Sequence, residues 1–198
     1  MPNASTSFFG WVAFLLQKYG MLFLRGTGMT LLIALTGTAL GFALGLLVAI
    51  IRTIALPENK KAGSNAGVIV KRGLLRFVHM LMNVYIQVFR GTPMIVQAVV
   101  IYYGAQYAGV FMDTTFAAIF IISINTGAYM AEIIRGGIVS VDKGQFEAAH
   151  AIGMTHWQTM TTVVLPQAIR NILPSVGNEL IVNIKDSSVL NVISVSEL

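Results

Sequence analysis

Between Thr27 and Ile51 the chain runs for 25 residues without a charge. At about 1.5 Å per residue, a helix of that length crosses a hydrocarbon core of roughly 30 Å with some tilt. A second uncharged run, Thr114 to Ala131, repeats the signal. With 56% apolar residues, 11% charged residues and a mean hydropathy of +0.75, the chain lies outside soluble composition. The implied class is all-α: a polytopic transmembrane helical protein. Gly37, Gly41 and Gly45 recur every fourth residue in the first run, a small-residue stripe suited to close helix packing within the subunit.

Charge sets an expected topology. The net charge of +5 and pI near 9.7 come from basic residues scattered between apolar segments, a pattern of positive-inside topology and not of a nucleic-acid surface. Arg52, Lys60, Lys61, Lys71, Arg72 and Arg76 surround a turn-rich piece, 57–67, which reads as a cytoplasmic loop. No cation precedes Lys18, so no cleaved secretory signal is expected. No Cys is present, which removes thiol chemistry and disulfides.

In chain order, 8–24 reads as an interfacial helix with Trp11 and Tyr19 at belt positions, and 27–52 as the first crossing. Residues 74–108 read as a broken crossing. His79, Asn83 and Gln87 share one face of its first part, turned to water or protein. Arg90, Gly91, Thr92 and Pro93 interrupt it, with Thr92 an expected N-cap and Pro93 an expected first helical residue. Asp113 lies in the far-side turn. The next crossing is 114–136, ending in a Glu132–Arg135 pair on one face. Residues 142–165 read as two short capped helices. Asp142 with Gln145 opens the first, Gly153 ends it in the left-handed conformation, and Thr155 with Gln158 forms a second capping box. The last crossing is 166–186, where Pro174 predicts a kink and Gly177 a loosened turn.

Several of these stretches share one resemblance. Glu147, Ala148 and Ala149, then Gly153, then Val163, Val164, Leu165 and Pro166 resemble the EAA motif of permease subunits of bacterial ATP-binding-cassette importers. The RGTP tetrad, the block NTGAYMAEIIRGG and the phrase LPQAIRNILPSVGNELIVNIKDSSV, with its Lys185, resemble the polar amino acid branch of that family, which takes up histidine, glutamine or arginine. The resemblance implies a type I importer permease in a bacterial inner membrane. About four spanning helices are present, and a last one that family members carry is expected beyond Leu198. It implies that Glu147, Ala148, Ala149, Gly153, Leu165 and Pro166 form the cytoplasmic coupling segment. Its implied partners are ATPase subunits, a second permease copy or sister subunit, an extracytoplasmic amino-acid-binding protein and membrane lipid, with no nucleic acid. With the coupling segment cytoplasmic, the N-terminus is external.

Candidate chemistry narrows accordingly. No Walker-type Gly-rich loop is present, so no cofactor is expected in this chain and ATP with Mg would belong to a partner ATPase. His79, His150 and His156 join no carboxylate cluster, and no metal site is expected. Glu179 falls near the middle of a crossing, where a charge costs several kcal/mol unless it faces a cavity or a partner. Together with Asn178, and with Asn125 and Tyr129 of the preceding crossing, it is the candidate substrate path, favouring a polar or basic amino acid. A bonded structural Glu remains the competing reading. The alternatives at the level of function are a secondary amino acid transporter and a membrane assembly subunit.

Overall fold

A computed structural model describes residues 7–53 and 66–193. They form helices α1 (Phe8–Thr53), α2 (Ala66–Gly91), α3 (Met94–Tyr107), α4 (Thr114–Val139), α5 (Lys143–Ala151), α6 (His156–Gln158) and α7 (Leu165–Asp186), with no strand among the described residues. A π-helical stretch, Thr159–Val164, links α6 to α7, and a 3-10 turn, Ser187–Ile193, follows α7.

The interfacial helix and first crossing are a single element of 46 residues, correcting the expected division at 24–27. No proline interrupts it, and Gly20, Gly26 and Gly28 cost only about 1 kcal/mol each in a helix that is otherwise apolar. The turn-rich piece 57–67 lies mostly outside the described residues, and Gly67 already belongs to α2.

Pro93 accounts for the break after α2. It has no N–H to offer the carbonyl of Phe89 four residues back, and it pushes Thr92 out of the helical region. The axes of the two flanking helices turn by 113° there. Two local expectations fail. Pro93 is extended (φ −61, ψ 140) and precedes α3, and Thr92 caps nothing. Its hydroxyl instead donates to the Val88 carbonyl at 2.8 Å, the back-bond open to any Thr at a helix end.

The centre of the bundle is the parallel pair α1 and α4. A Cβ on Gly41 would lie 2.6 Å from Thr126 Cβ; those on Gly37 and Gly45 would collide with Ile122 and Met130. The stripe on α1 thus meets every fourth residue of α4, close packing of the kind that holds helices together where lipid removes the hydrophobic driving force. Helix α7 returns antiparallel, with Ile172 against Ala49 and Ile134 at one end and Leu190, just past it, near Ile33 and Ala118 at the other. Between these apolar ends lies a band of buried polar residues: Thr38, Gln97, Asn125, Thr126, Glu179 and Asn183.

Outward, α1 to α3 present Leu31, Leu32, Leu35, Leu47, Val84, Val88, Val96 and Val100, a surface suited to lipid and far too apolar for water. By length and composition α1 and α4 can each span a membrane, and the bent pair α2–α3 makes a third span if counted as one. Of the expected four, α7 falls short on composition because it carries Arg170, Asn171, Asn178, Glu179, Asn183, Lys185 and Asp186, of which only Glu179 and Asn183 are buried.

Candidate functional site

A cavity of about 400 Å³ opens where the α2–α3 bend meets the middle of α4 and the second half of α7; Thr92, Pro93, Met94, Asn125, Tyr129, Asn178, Glu179, Val182 and Asp186 line it. All four side chains singled out as a substrate path are on this wall. Helical spacing explains why: Asn125 and Tyr129 are one turn apart on α4, while Glu179, Val182 and Asp186 share one face of α7. Asp186, Thr92 and Pro93 also line it, although the sequence marked the last two only as a structural motif. The signal for Asp186 was the i, i+7 spacing from Glu179.

Glu179 is 8% exposed, and none of the described residues gives its carboxylate a hydrogen bond. A carboxylate so placed is costly unless something else pairs with it. Arg90 stacks over the Tyr129 ring at 5.3 Å, bringing one cation to the edge of the same region.

Asn125 is less available than its sequence position suggests. Its Nδ2 donates to Gln97 Oε1 at 3.0 Å and to the Phe89 carbonyl at 3.3 Å. Gln97 Nε2 reaches the same carbonyl at 2.8 Å, as well as Thr92 O at 3.0 Å and Thr92 Oγ1 at 2.8 Å. The Phe89 oxygen is the one orphaned by Pro93, so two side-chain amides replace the missing backbone donor. Gln97 reads in sequence as one polar residue in an apolar helix, and nothing local marks its partner.

At the opposite end from Asp113, the expected Glu132–Arg135 pair is present, with Arg135 Nη2 at 2.8 Å. Arg52 of α1 also binds Glu132, a contact the sequence did not suggest. His79 meets the Ile51 carbonyl at 3.0 Å, while Asn83 and Gln87 are exposed. The ends of α1 and α4, the start of α2 and the α5–α6 hairpin therefore lie on one side.

In the hairpin, Asp142 accepts from Gly144 N at 2.7 Å, but Gln145 does not close a box; its Oε1 accepts from Gln167 at 3.3 Å. Gly153 has φ +81, and Thr155 with Gln158 forms the reciprocal box. The second short helix is not separate, since the π stretch carries α6 into α7. Pro166 would crowd the carbonyl four residues before it in a regular α-helix, and a widened turn is one way to make room. Glu147 and Ala148 face outward, Ala149 is buried, Leu165 and Pro166 are exposed, and Ile152 and Trp157 project at 78% and 75% exposure. Gly91 and Lys185 are exposed and do not line the cavity, though each adjoins in sequence a residue that does, Thr92 and Asp186.

Comparison with known proteins gives concordant matches. Residues 63–196 match the family model described as binding-protein-dependent transport system inner membrane component. The glutamine transport system permease protein GlnP of Escherichia coli (strain K12) is 40% identical over 179 residues, covering 89% of this chain and 73% of its own length. The probable amino-acid ABC transporter permease protein YckA of Bacillus subtilis (strain 168) is 38% identical over 175 residues, covering 88% and 69%. A chain in a crystal structure of an amino acid ABC transporter with histidines superposes with a TM-score of 0.80 at 36% identity, covering 98% of this chain and 79% of that one.

Proposed function

The chain belongs to the family of binding-protein-dependent transport system inner membrane components, and from that premise we propose that it carries polar amino acids, basic or amide, through the cavity at Glu179. Membership makes it a transport component, which leaves neither the secondary transporter nor the assembly subunit standing. The observation that carries the finer reading is the buried Glu179 carboxylate, open to a cavity and without a hydrogen-bond partner among the described residues. A second carboxylate, Asp186, stands on the same wall. Such a pair attracts the α-ammonium or a cationic side chain, with Asn178 and Tyr129 as orienting neighbours.

The α5–α6 hairpin is the coupling element in this reading. Glu147 offers an exposed charge beside the small Ala148, Ile152 and Trp157 offer an apolar surface, and the reversal at Gly153 sets the angle between them. The partners are an ATPase subunit that binds and hydrolyses ATP with Mg, a second permease copy or sister subunit, and an extracytoplasmic binding protein. The hairpin and Arg52 face the cytoplasm, and the N-terminus faces outward. Glu179→Gln keeps volume and removes charge. In proteoliposomes holding the whole transporter, uptake of a cationic amino acid should fall far more than uptake of a neutral one. Equal rates for wild type and variant with both substrates would refute the assignment.

A further inference from the structure

We infer that Gln97, which does not touch the cavity, sets its specificity by locking the Asn125 side-chain amide with Oδ1 facing the ligand. The inference rests on the reading of that cavity as the ligand site.

The lock follows from donor and acceptor counting. Gln97 Nε2 faces the carbonyls of Phe89 and Thr92 and the hydroxyl of Thr92. Turned over, Gln97 would set its own oxygen against two carbonyl oxygens, so its orientation is fixed. Its Oε1 then accepts from Asn125, whose second Nδ2 hydrogen goes to Phe89. Both donors of Asn125 are consumed. Its Oδ1 has no partner among the described residues, yet it is not sealed away, and Asn125 is on the cavity wall. The Thr92 hydroxyl also offers no donor, because its hydrogen goes to Val88 and it accepts from Gln97. Asn125, Glu179 and Asp186 therefore present acceptors only. The donors on this wall are the Asn178 amide and the Tyr129 hydroxyl. At the Asn125 oxygen itself a ligand head that brings only donors, a guanidinium or an ammonium, is matched, and one that brings a carbonyl to the same place meets an oxygen.

Arginine and citrulline differ at one group, the NH2+ of the guanidinium being replaced by a carbonyl oxygen with loss of the charge. Glu179 and Asp186 therefore favour arginine in every variant that keeps them, and the role of Gln97 is read from the change in the ratio. Their affinities are to be measured by direct binding to the assembled transporter in nanodiscs, without the extracytoplasmic binding protein, whose own selectivity would mask the effect. Wild type should prefer arginine. Gln97→Met frees the Asn125 amide to turn, and the preference should fall on the order of tenfold, the scale of one charge-assisted hydrogen bond. Gln97→Glu, held neutral by burial, keeps an oxygen for Asn125 and an O–H for Phe89, and should retain the preference. A preference undiminished in Gln97→Met, or lowered as much in both variants, overturns the inference. Asn125→Ala deletes the acceptor and must lower the same ratio; an unchanged ratio there overturns it even if Gln97→Met does not assemble. If Glu179→Gln leaves both affinities unchanged, the cavity reading itself has failed. If Glu179→Gln weakens arginine while Gln97→Met changes nothing, only the role of Gln97 has failed.

Discussion

The side-chain amide of Asn183 donates to the hydroxyl of Thr38 at 2.8 Å, joining α7 to α1 across 145 positions of sequence. The same Nδ2 reaches Thr126 Oγ1 of α4 at 2.9 Å, so one residue ties together three helices a single turn from Glu179. Asn183→Leu should lower the stability of the purified subunit by about 1–2 kcal/mol, the sum of its bonds to Thr38 and Thr126 at about 0.6 kcal/mol or somewhat more each. Titration with a denaturing detergent reads this as an earlier midpoint; an unchanged midpoint would show that the three-way contact contributes nothing.

Gly41 tolerates no side chain. A Cβ there would sit 2.6 Å from Thr126 Cβ and 3.0 Å from the Ser123 carbonyl, while one at Gly28 would meet nothing within 4 Å. Gly41→Ala should therefore cost about 1–3 kcal/mol through forced separation of α1 and α4, and Gly28→Ala should cost nothing and can stabilise by up to about 1 kcal/mol. Equal detergent-extraction yields and melting behaviour for the two variants would contradict the packing.

Much of this was readable in the chain because it is local. The uncharged runs, the break at Pro93, the reversal at Gly153 and the Thr155–Gln158 box follow from periodicity and turn chemistry. Facing of Glu179 and Asn125 follows from the cost of polar groups at depth. What escaped is of two kinds. Thr92 and Pro166 had local alternatives, a back-bonded hydroxyl and a widened turn, that spacing alone cannot rank. Arg52 with Glu132, Gln97 with Asn125, and Asn183 with Thr38 pair across helices, and no period in the sequence marks which polar residue will meet which.

Gly153 should respond to any L side chain through its backbone and not through crowding. Its φ of +81 is the left-handed region, and a Cβ added there would meet no atom within 4 Å. Gly153→Val should cost about 1–2 kcal/mol locally, changing the angle at which α5 meets α6. Substrate-stimulated ATP turnover of the assembled transporter should drop while membrane insertion stays normal. Full turnover would remove the hairpin from the coupling route.

Sidedness can be read by thiol labelling in a chain that has no Cys of its own. Asp113→Cys should react with an impermeant reagent added outside intact cells, whereas Gly67→Cys should react only after permeabilisation. The opposite pattern would invert the topology.

From His156 to Asp186 the backbone ladder runs through α6, the π stretch and α7 without an intervening loop. Trp157 at the hairpin tip and Glu179 in the cavity are thus mounted on one shaft, roughly 30 Å apart along its axis. A loop at that junction would absorb a push as slack. A continuous helix instead delivers it as tilt or rotation, with compliance concentrated at the widened turns of Thr159–Val164 and at Pro174, where the regular ladder is altered.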